Sequence, residues 1–177
     1  MVILDFFKNA LNLKNISRQG WIDKLSIENP ESVADHSYSM AIMGMVISDL
    51  EKYDTEKIMK MILLHDLAES HIGDYTPGQI MRENKIKIEN NAYDEIIGTL
   101  PDIIKLQYDK IWEEYQKQES PESTIVHQID KLEMALQAKM YQKGGASTEA
   151  VESFFKSAES EITNPKLKEI FQRILQD

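Results

Sequence analysis

The sequence predicts an all-α fold. Three observations carry that expectation. Glycine and proline are sparse, with seven and five among 177 residues. Strict apolar/polar alternation, the mark of a half-buried strand, is almost absent. Apolar residues recur instead at helical spacing nearly throughout the chain.

Taken in order, Ile3, Phe6, Phe7, Ala10 and Leu11 predict a first helix over about residues 2–12. A less regular stretch follows from Asn15 to Val33. A second helix is expected from about Ala34 to Tyr53, with Ala41, Ile42, Met45, Val46 and Leu50 as its apolar positions. Asp54 or Thr55 caps a third, which carries MILLHDLAES and stops near Gly73, where glycine permits the left-handed turn that ends helices. GDYTPGQ reads as a loop. A fourth helix covers roughly 82–99, and Pro101 suits the first turn of a fifth. Pro121 opens a sixth, ended by Gly144 and Gly145, and two shorter helices follow at about 148–160 and 165–176. No long polar linker divides the chain, so a single bundle-like domain over 1–177 is expected.

Composition narrows the function. The net charge of −10 argues against a surface that grips a nucleic-acid polymer, which needs clustered Lys and Arg. A small phosphorylated ligand in a local site stays open. There are no cysteines, so a thiolate nucleophile and thiolate–metal sites are excluded, and a metal must rest on His, Asp and Glu. The N-terminus carries an acidic residue at position 5 and no cleavage-site pattern. No apolar run approaches the roughly 20 residues of a membrane span. A cytoplasmic protein is expected.

The segment LLHDLAES places His65, Asp66 and Glu69 directly behind an apolar run. Buried titratable groups are costly unless paired, so a metal, a catalytic constellation or a satisfied structural network must account for them. His36 stands at the start of the second helix. Asp130 interrupts an apolar face formed by Ile125, Ile129, Leu132 and Ala135, and needs a cationic partner such as Lys131 or Arg173. His36, His65, Asp66 and Asp130 together make an N2O2 set from three helices. Imidazole plus carboxylate suits Mn, Fe, Co, Ni or Zn, with positions left for water. Each residue also has a plain structural reading: a helix-end polar group, a cap, an ion pair. His71 and His127 are expected in structural or surface roles.

The ordered pattern H…HD…D resembles the HD-domain superfamily of metal-dependent phosphohydrolases. The segments RQGW, ESVADHSYSMA, LLHDLAESHIGD, WEEYQKQESPES and VHQIDKLEMALQAKMYQ look like the 5′-deoxynucleotidase family within it, and span residues 18–142. The resemblance implies an all-α HD-domain bundle with its metal-site core at about 34–140, a homodimer, and hydrolysis of deoxyribonucleoside 5′-monophosphates. It implies one divalent ion (Co, Mn, Ni, Zn, Fe or Mg) on His36, His65, Asp66 and Asp130. Glu69 matches the acidic residue near the attacking water, and Arg18 the arginine that meets the phosphate. Trp21 matches the tryptophan that crowds the sugar, Asp74 the acidic residue of the substrate pocket. Thr76, Pro77, Gly78 and Gln79 lie where the family contacts the nucleotide. Gln19 and Gly20 separate Arg18 from Trp21, which are adjacent in the better-known bacterial members. Two alternatives stand beside this reading. One is an HD hydrolase of a triphosphate or cyclic diester, which the three arginines Arg18, Arg82 and Arg173 argue against. The other is a non-catalytic nucleotide-binding scaffold.

Overall fold

The computed structural model describes residues 2–76 and 78–177. Among the described residues, ten helices run in chain order: α1 (Val2–Asn12), α2 (Gln19–Leu25), α3 (Val33–Glu51), α4 (Thr55–Leu64), α5 (Glu69–Ile72), α6 (Arg82–Ile97), α7 (Asp102–Lys117), α8 (Pro121–Lys143), α9 (Thr148–Glu161) and α10 (Pro165–Gln176). A 3₁₀ turn at Leu13–Asn15 follows α1. There is no strand among the described residues, and the all-α expectation holds.

Local chemistry sets most helix starts. Ser32 and Asp35 form a reciprocal capping box at α3, and Ser120 and Ser123 do the same at α8. Asp54, Ser147 and Asn164 cap α4, α9 and α10 through side-chain oxygens. Pro121 and Pro165 occupy the first helical turn, where their missing N–H costs nothing. Pro101 differs from expectation: it sits just before α7, which opens at Asp102.

Helix α8 is the central element, packed against α3, α4, α7, α9 and α10. Its Ile125, Val126, Ile129, Leu132 and Ala135 join Met40, Ile47, Ile58, Met61 and Ile62 in the main core. A second cluster of Trp21, Ala138, Val151 and Phe154 lies between α2, α8 and α9. Gly44 lets α3 and α4 approach: a Cβ there would overlap Ile62 Cδ1 and meet Ile58 Cγ2 at 3.1 Å. The buried face of α3 is not the one its sequence suggests. Ala41 is buried, but Ile42, Met45, Val46 and Leu50 are exposed.

Two departures bear on the site. The irregular stretch expected over 15–33 contains α2. The third helix is not continuous to Gly73 but breaks after Leu64 and resumes at Glu69.

Candidate metal and active site

Between α4 and α5 the backbone winds more tightly. Leu67 N donates to Leu64 O at 3.2 Å, Glu69 N to Asp66 O at 3.0 Å and Ser70 N to Leu67 O at 3.2 Å. Bonds to the third preceding residue eclipse side chains three apart, so Asp66 and Glu69 stand one above the other. Both line a cavity of about 270 Å³.

Four side chains converge beside it. His65 Nε2 lies 3.0 Å from Asp66 Oδ2, and His36 Nε2 lies 3.3 Å from Asp130 Oδ1 and 3.9 Å from Asp66 Oδ2. His65 Nδ1 is 2.6 Å from the Ile62 carbonyl oxygen, which can only accept, so Nδ1 carries the proton. His36 Nδ1 is 2.6 Å from Glu133 Oε2. In the neutral rings this leaves both Nε2 atoms with a lone pair, and both are buried without a hydrogen-bond partner. Ligand atoms of His36, His65 and Asp66 all lie within 4.8 Å of one another. Orphaned imidazole nitrogens facing two carboxylates fit a divalent cation.

The electrostatics agree. Burial works against ionisation of Asp66, but His65, Arg18 and His36 outweigh it and hold the carboxyl below the usual range. Asp130 is held low in the same way, against burial, by Lys131, His36 and Arg18. Its expected cationic partner is Lys131, at 3.1 Å. Arg173 instead pairs with Glu169 on the surface. Burial and Arg18 oppose a charge on His36, yet Asp130 and Glu133 lift its pKa to about 9. Glu69 is 3% exposed with Oε2 unpartnered, and burial together with Asp66 and Asp74 pushes it well above its ordinary value.

Arg18 precedes α2 and donates from one guanidinium nitrogen to Asp66 Oδ2 at 3.2 Å. Asp74 lines the cavity and accepts from Gln19 N at 2.8 Å, which caps α2 from a distant loop. Trp21 also lines the cavity but is 1% exposed, packed on Phe154 and Tyr141, with its indole N–H donating to Glu31 Oε1 at 2.8 Å. Thr76 reaches the cavity. Gly78 and Gln79 do not line it; Thr76 Oγ1 and Gln79 Nε2 both donate to Asp23 Oδ2 on α2 at 3.0 Å, which ties the loop to that helix. Pro77 lies outside the described residues. His71 sits at the surface near Asn9 and Glu95, and His127 stacks on Tyr115 at 4.2 Å.

The sequence reading passed over several wall residues. Lys24, Lys85, Tyr115, Ser153 and Phe154 line the cavity, beside Lys131, which was expected only as a partner of Asp130. Glu31 and Glu133 stand behind His36, and burial plus the neighbouring Glu133 pushes Glu31 up to about 7. Glu133 follows Asp130 by three residues, and that spacing was the one available signal. Ser153 and Phe154 lie on no motif.

The model of one protein family, described as HD domain, matches residues 10–172. The chain is 38% identical over 185 residues to "5′-deoxynucleotidase HDDC2" of Dictyostelium discoideum, covering 98% of this chain and 97% of that one. It is 32% identical to the protein of that name in Homo sapiens, covering 97% and 84%. Among solved structures, a conserved hypothetical protein from Pyrococcus furiosus superposes with a TM-score of 0.82 at 31% identity, over 98% of this chain and 99% of that one. A protein from Pyrococcus horikoshii gives 0.81 at 30%, over 97% of each.

Proposed function

The chain belongs to the HD domain family, and on that premise we propose that it is a metal-dependent 5′-deoxynucleotidase. It cleaves deoxyribonucleoside 5′-monophosphates to deoxynucleoside and phosphate. One observation carries the reading: His65, Asp66 and Asp130 line the same cavity as Arg18 and Glu69, and the unpartnered Nε2 atom of His36 lies behind them, 3.3 Å from Asp130 Oδ1 and 3.9 Å from Asp66 Oδ2. Its curated relatives named 5′-deoxynucleotidase support the substrate class.

His36, His65, Asp66 and Asp130 would hold the ion. A divalent cation supplies charge neutralisation at a phosphoryl oxygen and makes water a stronger acid. Arg18 grips the phosphate; Asp66 takes one of its five N–H donors, leaving others for a bidentate fork. Glu69, kept neutral by burial and by Asp66 and Asp74, can give its proton to the 5′-oxygen as the P–O bond breaks. Trp21, packed on Phe154 and Tyr141 and tied to Glu31, is the wall residue that would crowd a 2′-hydroxyl. Asp74 and Thr76 complete the substrate-facing set.

Three lysines in the wall do not turn the reading toward a triphosphate. Lys131 is paired with Asp130 and Lys85 with Glu89 at 3.4 Å, while Lys24 lies over the Phe154 ring and donates to Ser153 Oγ, so two of the three are already neutralised and one cation is left. A cavity of about 270 Å³ is at the small end for ligand pockets and suits one small nucleotide.

We extend the same proposal to a single domain acting as a cytoplasmic homodimer. Exposed Ile42, Met45, Val46 and Leu50 on α3 support the dimer, and light scattering tests it. No helix among the described residues is long and apolar enough to cross a membrane.

Phosphate release from dAMP, AMP and dATP, with Mn, Co, Ni, Zn or Mg returned singly to the chelated protein, tests the function. The expected result is metal-dependent release from dAMP, little from AMP or dATP, and none with Asp66→Ala. Preferential release from dATP contradicts it.

A further inference from the structure

Helix α8 places Asp130 and Glu133 three residues apart, so both present to α3. Each meets a different nitrogen of one imidazole. Asp130 Oδ1 lies 3.3 Å from His36 Nε2, and Glu133 Oε2 lies 2.6 Å from His36 Nδ1. The ring between them is fully buried, and Glu133 is 2% exposed.

A buried carboxylate with only an imidazole beside it is an expensive feature. Among the described residues, Glu133 has no Lys or Arg partner within ion-pair distance; its one such contact is His36. A second carboxylate, Glu31, lies within 4.8 Å of both Glu133 and His36, where the like charge raises the expense further. Packing alone does not call for this arrangement: a Leu or Met at 133 would fill similar space without the desolvation. What the carboxylate does supply is an acceptor on the Nδ1 side. It fixes which nitrogen carries the proton, and it stops the ring from turning over, since a turn would break the contacts at both nitrogens at once.

We propose that Glu133 is a positioning residue, which holds His36 protonated at Nδ1 with Nε2 presented toward Asp66 and Asp130. The proposal rests on the reading of His36 as a metal ligand. It also gives Glu31 a place. The carboxylate of Glu31 receives the Trp21 indole N–H at 2.8 Å, and its backbone carbonyl receives the Arg18 N–H at 3.0 Å. The segment that carries the phosphate and sugar contacts is therefore anchored beside the carboxylate that orients His36. Partners of this kind change metal affinity by about 10–100-fold when removed.

Two readouts without substrate test it. The first is the ¹⁵N spectrum of His36 in the Zn(II)-loaded wild type, expected to show a proton on Nδ1 and the metal on Nε2. The second is Co(II) titration of wild type, Glu133→Met and Glu133→Gln. Met fills the space without an acceptor and should weaken Co(II) by about 10–100-fold. Gln keeps an acceptor oxygen, so it should keep the Nδ1 proton and recover part of the loss. A merely structural Glu133 would lower the melting temperature of Glu133→Met and leave its Co(II) affinity unchanged, which overturns the proposal. Metal on Nδ1 of His36 overturns it as well. Should Glu133→Met fail to fold, the wild-type and Glu133→Gln spectra decide: Nδ1–H in both supports it, and metal on Nδ1 in either overturns it. A wild type that binds Co(II) through His36 yet leaves dAMP intact sinks the nucleotidase reading and leaves this one standing. A wild type that binds no Co(II) overturns both.

Discussion

Asp66 Oδ2 stands 3.0 Å from His65 Nε2 and 3.2 Å from an Arg18 guanidinium nitrogen, so one carboxylate oxygen joins the proposed ion site to the arginine proposed to grip the phosphate. Under the proposed function, this link would set metal and phosphate at adjoining positions. Positioning and charge are most of what phosphoryl transfer asks of a protein.

Arg18→Lys keeps the charge and removes the planar fork. With a charge-assisted hydrogen bond worth about 1.5–3 kcal/mol, kcat/KM for dAMP should fall roughly 10–100-fold. Co(II) affinity should stay close to wild type. Steady-state kinetics beside a Co(II) titration check both, and an unchanged kcat/KM would remove Arg18 from the phosphate site.

Glu69→Gln replaces an acid with a neutral isostere that cannot give up its proton. Loss of a general acid or base costs about 10²–10⁴-fold in rate, and the drop should appear in kcat with KM and metal affinity held. Stability should not suffer. The raised Glu69 pKa means that ionising it in the folded state is penalised as pH rises above the ordinary carboxylate range, and Gln removes that penalty. Equal kcat in the variant would refute the acid role.

His127 gives a pH signature away from the ion. Burial lowers its pKa while Nε2 stays 3.0 Å from the Tyr115 carbonyl oxygen. A depressed imidazole contributes stability that is complete above the unfolded value of about 6.5 and declines as pH falls through it. Urea melts at pH 7.5 and 5.5 should therefore show a larger loss for wild type than for His127→Gln. Equal losses would mean that the ring is not kept neutral by the fold.

Gly44→Ala tests the α3–α4 contact. The added methyl overlaps Ile62 Cδ1, and Ile62 and Ile58 are both fully buried, so the Ile62 side chain must shift within a packed core. Overpacking of this kind costs about 1–3 kcal/mol, visible as a lower urea midpoint. A midpoint equal to wild type would show that the two helices part freely.

Helix positions were largely legible because local chemistry decides them. Asp54 and Pro121 mark starts where the chain places them, and the expected start at Ala34 falls one residue past Val33, where α3 opens. Helix α2 was not legible, since its N-terminus is capped by Asp74 from another loop rather than by a neighbour in sequence. The break after Leu64 was hidden for a related reason. Its apolar spacing continues the helix, while the tighter turn that stacks Asp66 under Glu69 is a tertiary outcome. On α3, periodicity named apolar positions but not which face packs inward, and Ile42, Met45, Val46 and Leu50 ended outside. Of the site, the His and Asp cluster stood out as costly residues in apolar helices. Ser153 and Phe154 on α9 carry no such cost and left no trace.

The most direct test follows dAMP hydrolysis while the chelated protein is titrated with Co(II), wild type beside Asp130→Ala. Phosphate release should be absent without ion, rise with added Co(II) and level off at one ion per chain, and stay at background in the variant. Full activity in the chelated wild type, or an Asp130→Ala protein as active as its parent, would contradict a metal-dependent nucleotidase built on His36, His65, Asp66 and Asp130.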